Sequence, residues 1–231
     1  MCEYNLLLFI ANNSRHLEEW ERNLILIVEE NSKYFIPQAL TKIMNEGWAC
    51  TIHQKIIQKL NLPDKLYLPF IKLHNQVVRP HLGTINPYHL GFELFQKLIK
   101  DKGFEEAMLI RETHNDITFL RSYLDQEFLM DQNLFSYSFK SKYKSSTIDD
   151  IADEQGWEAL RDDLILNVGL NRVPIIYVEE MKKDHHLILR HEHDGRDLEI
   201  PYAQKVFQYV KDLWGEEVTL LTTVEGEPWE F

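Results

Sequence analysis

The sequence predicts an α+β fold, with a mostly helical body followed by a small β-β-α-β module. Three observations carry this. Apolar residues recur at helical spacing through most of residues 14–167. After Asn171 the period becomes strand-like. The content of 44% hydrophobic residues, with 12 Phe, 10 Tyr and 5 Trp, is enough to fill a sizeable core. The change of period places a helical domain over residues 1–168 and a small β-β-α-β domain over residues 169–231.

The helical body reads as six or seven helices. Residues 14–35 carry Leu17, Trp20, Leu24, Ile27 and Val28 on one face, with Glu18, Glu21, Arg22 and Glu29 on the other. Pro37 is expected to end that helix and to open the next at its first turn. The second runs over 38–60 and stops at Asn61-Leu62-Pro63. A third spans Leu66–Val78, before Arg79-Pro80. Asn86-Pro87 is a strong start signal, because Asn caps a helix and Pro fits its first position. That fourth helix runs to about Lys100. Further helices are expected at 104–113, 116–131 and 147–167. Between the last two lies LFSYSFKSKYKSS, strand-like in its first half and a basic, serine-rich loop with Lys140, Lys142 and Lys144 in its second.

In the tail, PIIYVEEM and HHLILRHEH read as two strands, with Asp194-Gly195 as a turn. Pro201–Trp214 reads as a helix with Ala203, Val206, Phe207, Val210 and Leu213 on one face, stopped by Gly215. VTLLTTVEGEPWEF closes the module as a strand.

Charge and composition exclude several function classes. There are 25 Lys+Arg against 37 Asp+Glu, a net charge of −12. That balance argues against a nucleic-acid binder and against a polybasic membrane anchor. No apolar run is long enough to span a bilayer. The first ten residues start acidic, unlike a signal peptide. The two cysteines, Cys2 and Cys50, are too few for a disulfide framework and fit a reducing cytoplasm. The expected location is therefore cytoplasmic. No phosphate-binding loop, dinucleotide fingerprint, nucleophile elbow or Cys-x-x-Cys is present.

Three groups of residues are candidates for chemistry. In MNEGWACTIH (44–53), Glu46 and His53 are seven apart, on one helix face and about 10.5 Å from each other. Ala49, Ile57 and Leu60 flank that face, which is expected to be half-buried. Two readings stand. Glu46 is a buried carboxylate paired with an Arg or His of another helix, or it is a metal ligand or a general acid/base. Gly47 costs about 1 kcal/mol in a helix interior, which implies that another backbone passes close by or that Trp48 needs room.

The second group, Lys72–Glu93, holds His74, His81, His89, Arg79, two Asn and Tyr88. Asn86 has a structural account as a cap, and Tyr88 has one as an anchor for the helix start. The third group is His185, His186, His191 and His193. On a strand His191 and His193 share a face and could chelate a metal, or they are simply solvated. Cys50, among apolar neighbours, reads as a buried inert thiol.

At these motifs the sequence resembles the SpoVR family, stage V sporulation protein R and its relatives. The resemblance rests on YFIPQALTKIMNEGWACTIH (34–53), on INPYHLGFELF (85–95) and on RETHNDITFLRSYLDQEF (111–128), with Phe119, Leu120, Arg121 and Leu124 in place. LILRHEHDGRDLE and the helix after it also look like the family's end. Family members are about twice as long, with a His-x-x-x-His-type segment in the first half that is missing here. This chain therefore looks like the C-terminal half only, a truncated or split form.

The resemblance implies a role in bacterial endospore formation, when the cortex is built, with the biochemical activity unknown. Glu-Gly-Trp-Ala is also similar to the segment that supplies a third zinc ligand in some zinc peptidases. That second likeness implies a metal-dependent hydrolase that uses a divalent metal such as zinc. Glu46 would be a ligand, the others would come from a missing N-terminal half, and His53, His74 or Tyr88 would orient substrate or donate a proton. The implied partner is another protein or that missing half.

Overall fold

The computed structural model describes residues 5–81, 85–132, 135–140, 145–151 and 156–231. The chain opens with α1 (Leu6–Asn13), α2 (Glu19–Leu40), α3 (Lys42–Lys59), α4 (Asp64–Val77) and α5 (Pro87–Lys102). These are followed by α6 (Phe104–Thr113), α7 (Asp116–Tyr123), α8 (Gln126–Asp131), β1 (Phe135–Lys140), β2 (Ser145–Ile151) and α9 (Trp157–Leu166). A 3-10 turn at Gly169–Arg172 leads to β3 (Ile176–Met181), β4 (Leu187–His191), α10 (Ile200–Trp214), β5 (Val218–Val224) and β6 (Glu227–Glu230). This is the α+β architecture that the sequence predicts.

The chain forms two compact units. One is the contiguous stretch Pro37–Arg172. The other joins the chain up to Ile36 with Val173–Phe231.

In the contiguous unit the core is Met44 of α3, Leu94, Phe95 and Leu98 of α5, Phe119 and Leu120 of α7, Leu129 of α8 and Leu160 of α9, all buried. Each such side chain contributes roughly 1.5–3 kcal/mol of burial. α3 and α5 pack at their glycines. A Cβ added to Gly47 would sit 2.2 Å from the carbonyl carbon of Gly91, and one added to Gly91 would sit 2.2 Å from the carbonyl oxygen of Ile43. The passing backbone expected from Gly47 is therefore that of α5. Trp48, the next residue, stacks on Phe104 at 5.6 Å and meets Phe95 edge-on at 5.1 Å.

In the other unit the sheet order is β3-β4-β5-β6. β4 and β5 run parallel, joined through α10, and the outer pairs are antiparallel. Leu187, Leu189, Val218 and Leu220 of the sheet pack with Phe207 and Trp214 of α10 and with Ile10 of α1. The Ser14 hydroxyl donates to the carbonyls of Leu213 (3.0 Å) and Trp214 (3.1 Å). Arg22 donates to the carbonyls of Ala11 and Ser14.

Several boundaries differ from the sequence expectation. Pro37 neither ends the first helix nor opens the second. α2 carries it in the last turn and stops at Leu40. A proline there still gives up the hydrogen bond to the Lys33 carbonyl, since only the first-turn N–H groups of a helix lack partners. Thr41, with φ −129°, makes the actual break, and its hydroxyl donates to the Pro37 carbonyl at 2.7 Å.

The single helix expected over 116–131 is two. Asp125 caps the second by accepting from the Phe128 N–H at 2.9 Å. The helix expected over 147–167 is β2 followed by α9, because β1 supplies an antiparallel partner from Phe135↔Ile151 to Lys140↔Ser145. The final strand folds back at Glu225 and Gly226, both at positive φ, and gives β5 and β6. The basic loop's Lys142 and Lys144 lie outside the described residues, and Lys140 ends β1.

Candidate functional site

Glu46, Cys50 and His53 lie along one face of α3, at helical spacings of four and three. Two neighbouring elements bring the remaining candidates to that face. α5 carries Tyr88 in its first turn. The preceding Asn86 fixes that turn by accepting the Tyr88 N–H at 3.0 Å. The Asn86 amide nitrogen also donates to the carbonyls of Val77 (2.9 Å) and Arg79 (2.8 Å) at the end of α4. The His89 ring meets the Val78 carbonyl at 2.9 Å. Asn86 is thus both a cap on α5 and a clamp on the preceding helix, and only the cap was expected.

Glu46 is half-buried and forms no ion pair with an arginine among the described residues. Its neighbour is a phenol. A hydrogen bond to the Glu46 carboxylate, then burial, hold the Tyr88 hydroxyl above the ordinary tyrosine range. Burial, with Glu46 as a second cause, also pushes the Cys50 thiol up. Cys50 belongs to a small apolar cluster with Val78 and Phe92, against which Tyr88 packs. The expected inert thiol matches this burial.

His53 is exposed, as are Ala49 and Leu60. The half-buried expectation therefore holds for Glu46 and Ile57 but fails for Ala49, His53 and Leu60. The His53 ring meets Phe70 edge-on at 5.0 Å. Phe70 lies 5.6 Å from the ring of His74, which in turn meets Phe92 edge-on at 5.1 Å. His74 is 6% exposed and its Nε2 has no hydrogen-bond partner. Burial, then the nearby His53, lower its proton affinity and favour the neutral ring. His81 is exposed and separate from this group.

The four tail histidines do not form a centre. His191 bonds Thr222 at 2.8 Å and His186 bonds Thr219 at 2.8 Å. His193 falls beyond the end of β4 and pairs with Asp197 at 2.9 Å, while its ring meets that of His191 edge-on at 5.7 Å. His185 stacks on Trp214.

Among the described residues no group of three or more His, Cys, Asp or Glu side chains is placed to hold a metal ion. Glu46 faces a phenol rather than an imidazole, and His53 stands two turns along. The described residues do not fit a zinc centre by themselves.

Sequence reasoning missed Asp116. This carboxylate is 1% exposed and accepts the N–H groups of Ile43 (Oδ2) and Met44 (Oδ1), both at 2.9 Å. It thereby caps α3 from 73 residues away, where Thr41 makes no side-chain cap. Burial pushes its proton affinity up, against the pull of the backbone N–H groups. The sequence offered only Asn115-Asp116 as the start of a helix.

The fold and site define a helical protein with an appended mixed sheet. A carboxylate–phenol pair and two histidines gather where α3, α4 and α5 meet. The chain belongs to the SpoVR family, because the model described as SpoVR like protein matches residues 1–173 and that of the SpoVR-like C-terminal domain matches residues 174–225. The expectation of a C-terminal half only is not supported, since the main family model itself spans most of the chain. A curated relative, "Uncharacterized protein YcgB" of Escherichia coli (strain K12), is 28% identical over 247 aligned positions, covering 94% of this chain. The chain spans about half, 48%, of that relative's length. No solved structure matches. No helix among the described residues is long and apolar enough to cross a membrane.

Proposed function

We propose that this protein acts in the cytoplasm in endospore formation, at the stage when the cortex is built, through a protein partner. The observation that supports this is the ordered match of both SpoVR models along residues 1–225. The site we assign is Glu46, Tyr88, His53 and His74. Its own residues are suited to proton transfer. The Glu46 carboxylate accepts, the Tyr88 hydroxyl donates, and His53, on the same face of α3 as Glu46, supplies a second acceptor–donor group with His74 of α4 near it. The test is complementation of an endospore-forming bacterium lacking its own family member. Restored cortex and heat resistance, lost again with Glu46→Gln, is the expected result. A folded, expressed protein that restores neither overturns the reading.

A second reading is a metal-dependent hydrolase of the zinc-peptidase kind. One observation favours it: among the described residues Glu46 is half-buried with no arginine partner, and His53 lies two turns along the same helix. Metal content by mass spectrometry, beside a Glu46→Ala variant, separates the two readings. Stoichiometric zinc, iron or manganese that disappears in the variant supports the hydrolase. Metal-free protein removes this reading for the residues present.

A further inference from the structure

α4 is held to its unit in an unusual way. Over Asp64–Val77 its one buried side chain is His74, while Leu66, Leu68, Leu73 and Val77 are all exposed. A 14-residue helix is marginal by itself in water, so its anchor decides its position. The C-terminal end is clamped by Asn86 and His89 through the carbonyls of Val77, Val78 and Arg79. At the other end the chain turns at Asn61, a non-glycine residue with φ +44°. Between these ends, Phe70 against His53 and His74 against Phe92 are the ring contacts that join α4 to α3 and α5. The lever is pinned at one end, and His74 is the one buried side chain that holds it down.

That imidazole is unusual too. It is 6% exposed, lies among Phe70, Phe92 and Val78, and its Nε2 has no partner. A neutral ring tolerates such surroundings, whereas a buried cation with no counter-charge does not. The titratable group that acts on it is His53 of α3; Cys50 and Glu46 lie on the same face of α3, and Tyr88 and His89 are in the first turn of α5. Glu46 is engaged with Tyr88, and His53 repels a second positive charge.

We propose that α4 is a hinged cover on the His53 side of the site, latched by the neutral ring of His74 and released when that ring takes up a proton. The inference goes beyond the sporulation reading and stands without it, on the geometry of α3, α4 and α5. With α4 open, His74 is in water and titrates near the ordinary value of 6.5, while the closed form holds it lower. The open form therefore binds more protons between those two values. The closed form is fully favoured above the ordinary value and loses ground as pH falls through it, by up to about tenfold per pH unit for one proton.

The test is hydrogen exchange of the intact chain at about pH 7.5 and about pH 5.5, either side of the ordinary imidazole value, corrected for intrinsic exchange rates. Protection of residues 64–73 is expected to fall at the lower pH while that of α5 holds, and a His74→Gln variant is expected to lose this difference. Equal protection of α4 at both pH values overturns the proposal, as does a variant as pH-sensitive as the parent. Should the variant leave α4 open throughout, NMR titration of the His74 ring in the unmodified protein decides. A midpoint below 6.5 that coincides with opening supports the latch. A midpoint at or above that value overturns it.

Discussion

Gly47 of α3 and Gly91 of α5 are in backbone contact, closely enough that a Cβ on Gly47 would lie 2.4 Å from the Gly91 Cα. The two helices that carry Glu46 and Tyr88 are thus set at a distance that only glycine permits on both sides.

Substituting either glycine with alanine reverses the usual sign of that change. In a free helix the alanine would gain about 1 kcal/mol. Here the added carbon meets backbone atoms, which cannot rotate away, and the cost is expected to be about 3 kcal/mol or more. Urea denaturation of Gly47→Ala and Gly91→Ala measures it. A neutral or stabilising effect would show that α3 and α5 do not pack this way.

Asp116→Ala leaves the Ile43 and Met44 N–H groups without their acceptor in a buried place, at an expected cost of about 2–4 kcal/mol. Asp116→Asn keeps one acceptor and should cost less. The pH dependence follows from the raised proton affinity of the folded Asp116. The native state holds this proton more tightly than the unfolded chain does. The contribution of Asp116 is therefore greatest at low pH and declines as pH rises through the unfolded carboxylate range toward the raised folded value. The stability difference between parent and Asp116→Asn should be larger near pH 4 than near pH 7.

Tyr88 should titrate above the ordinary tyrosine range and return toward it in Glu46→Gln, since the Glu46 carboxylate is the first cause of its shift. Ultraviolet or NMR titration beside a Tyr88→Phe variant assigns the transition. An unshifted Tyr88 in the parent would mean that the two groups do not meet.

Cys50 should react with a soluble disulfide reagent far more slowly than an exposed thiol, because it is buried and its thiolate is disfavoured. Reaction rates in a Cys2→Ser background isolate it. Rapid labelling at neutral pH would contradict the burial of the α3 face.

The sequence made local features legible and left distant ones hidden. Asn86-Pro87 states a helix start in two adjacent residues, and α5 begins there. Gly47 announced a close approach because its cost within a helix calls for a compensation. The identity of the approaching residue, Gly91, required the fold. Pro37 misled, since α2 continues through it and the break falls at Thr41. β2 was read as helix because its pairing with β1 is a relation between segments that helical periodicity does not register. The same holds at the site. Glu46, His53, His74 and Tyr88 were each singled out for residue type and spacing. Their gathering depends on α4 folding back on α3 and on the Asn86 clamp. Asp116 was invisible, because its role is defined by N–H groups on another helix.

The two compact units differ in when they can be completed during synthesis. Pro37–Arg172 is one uninterrupted stretch, so all of its partners are present once Arg172 has left the ribosome. The sheet unit has to wait. Ser14 and Arg22 are made about 200 residues before the Leu213 and Trp214 carbonyls that Ser14 binds. Until they arrive, the nascent chain carries α1 and its apolar residues Ile10 and Ala11 without the surface that buries them. During that interval these apolar residues are open to aggregation.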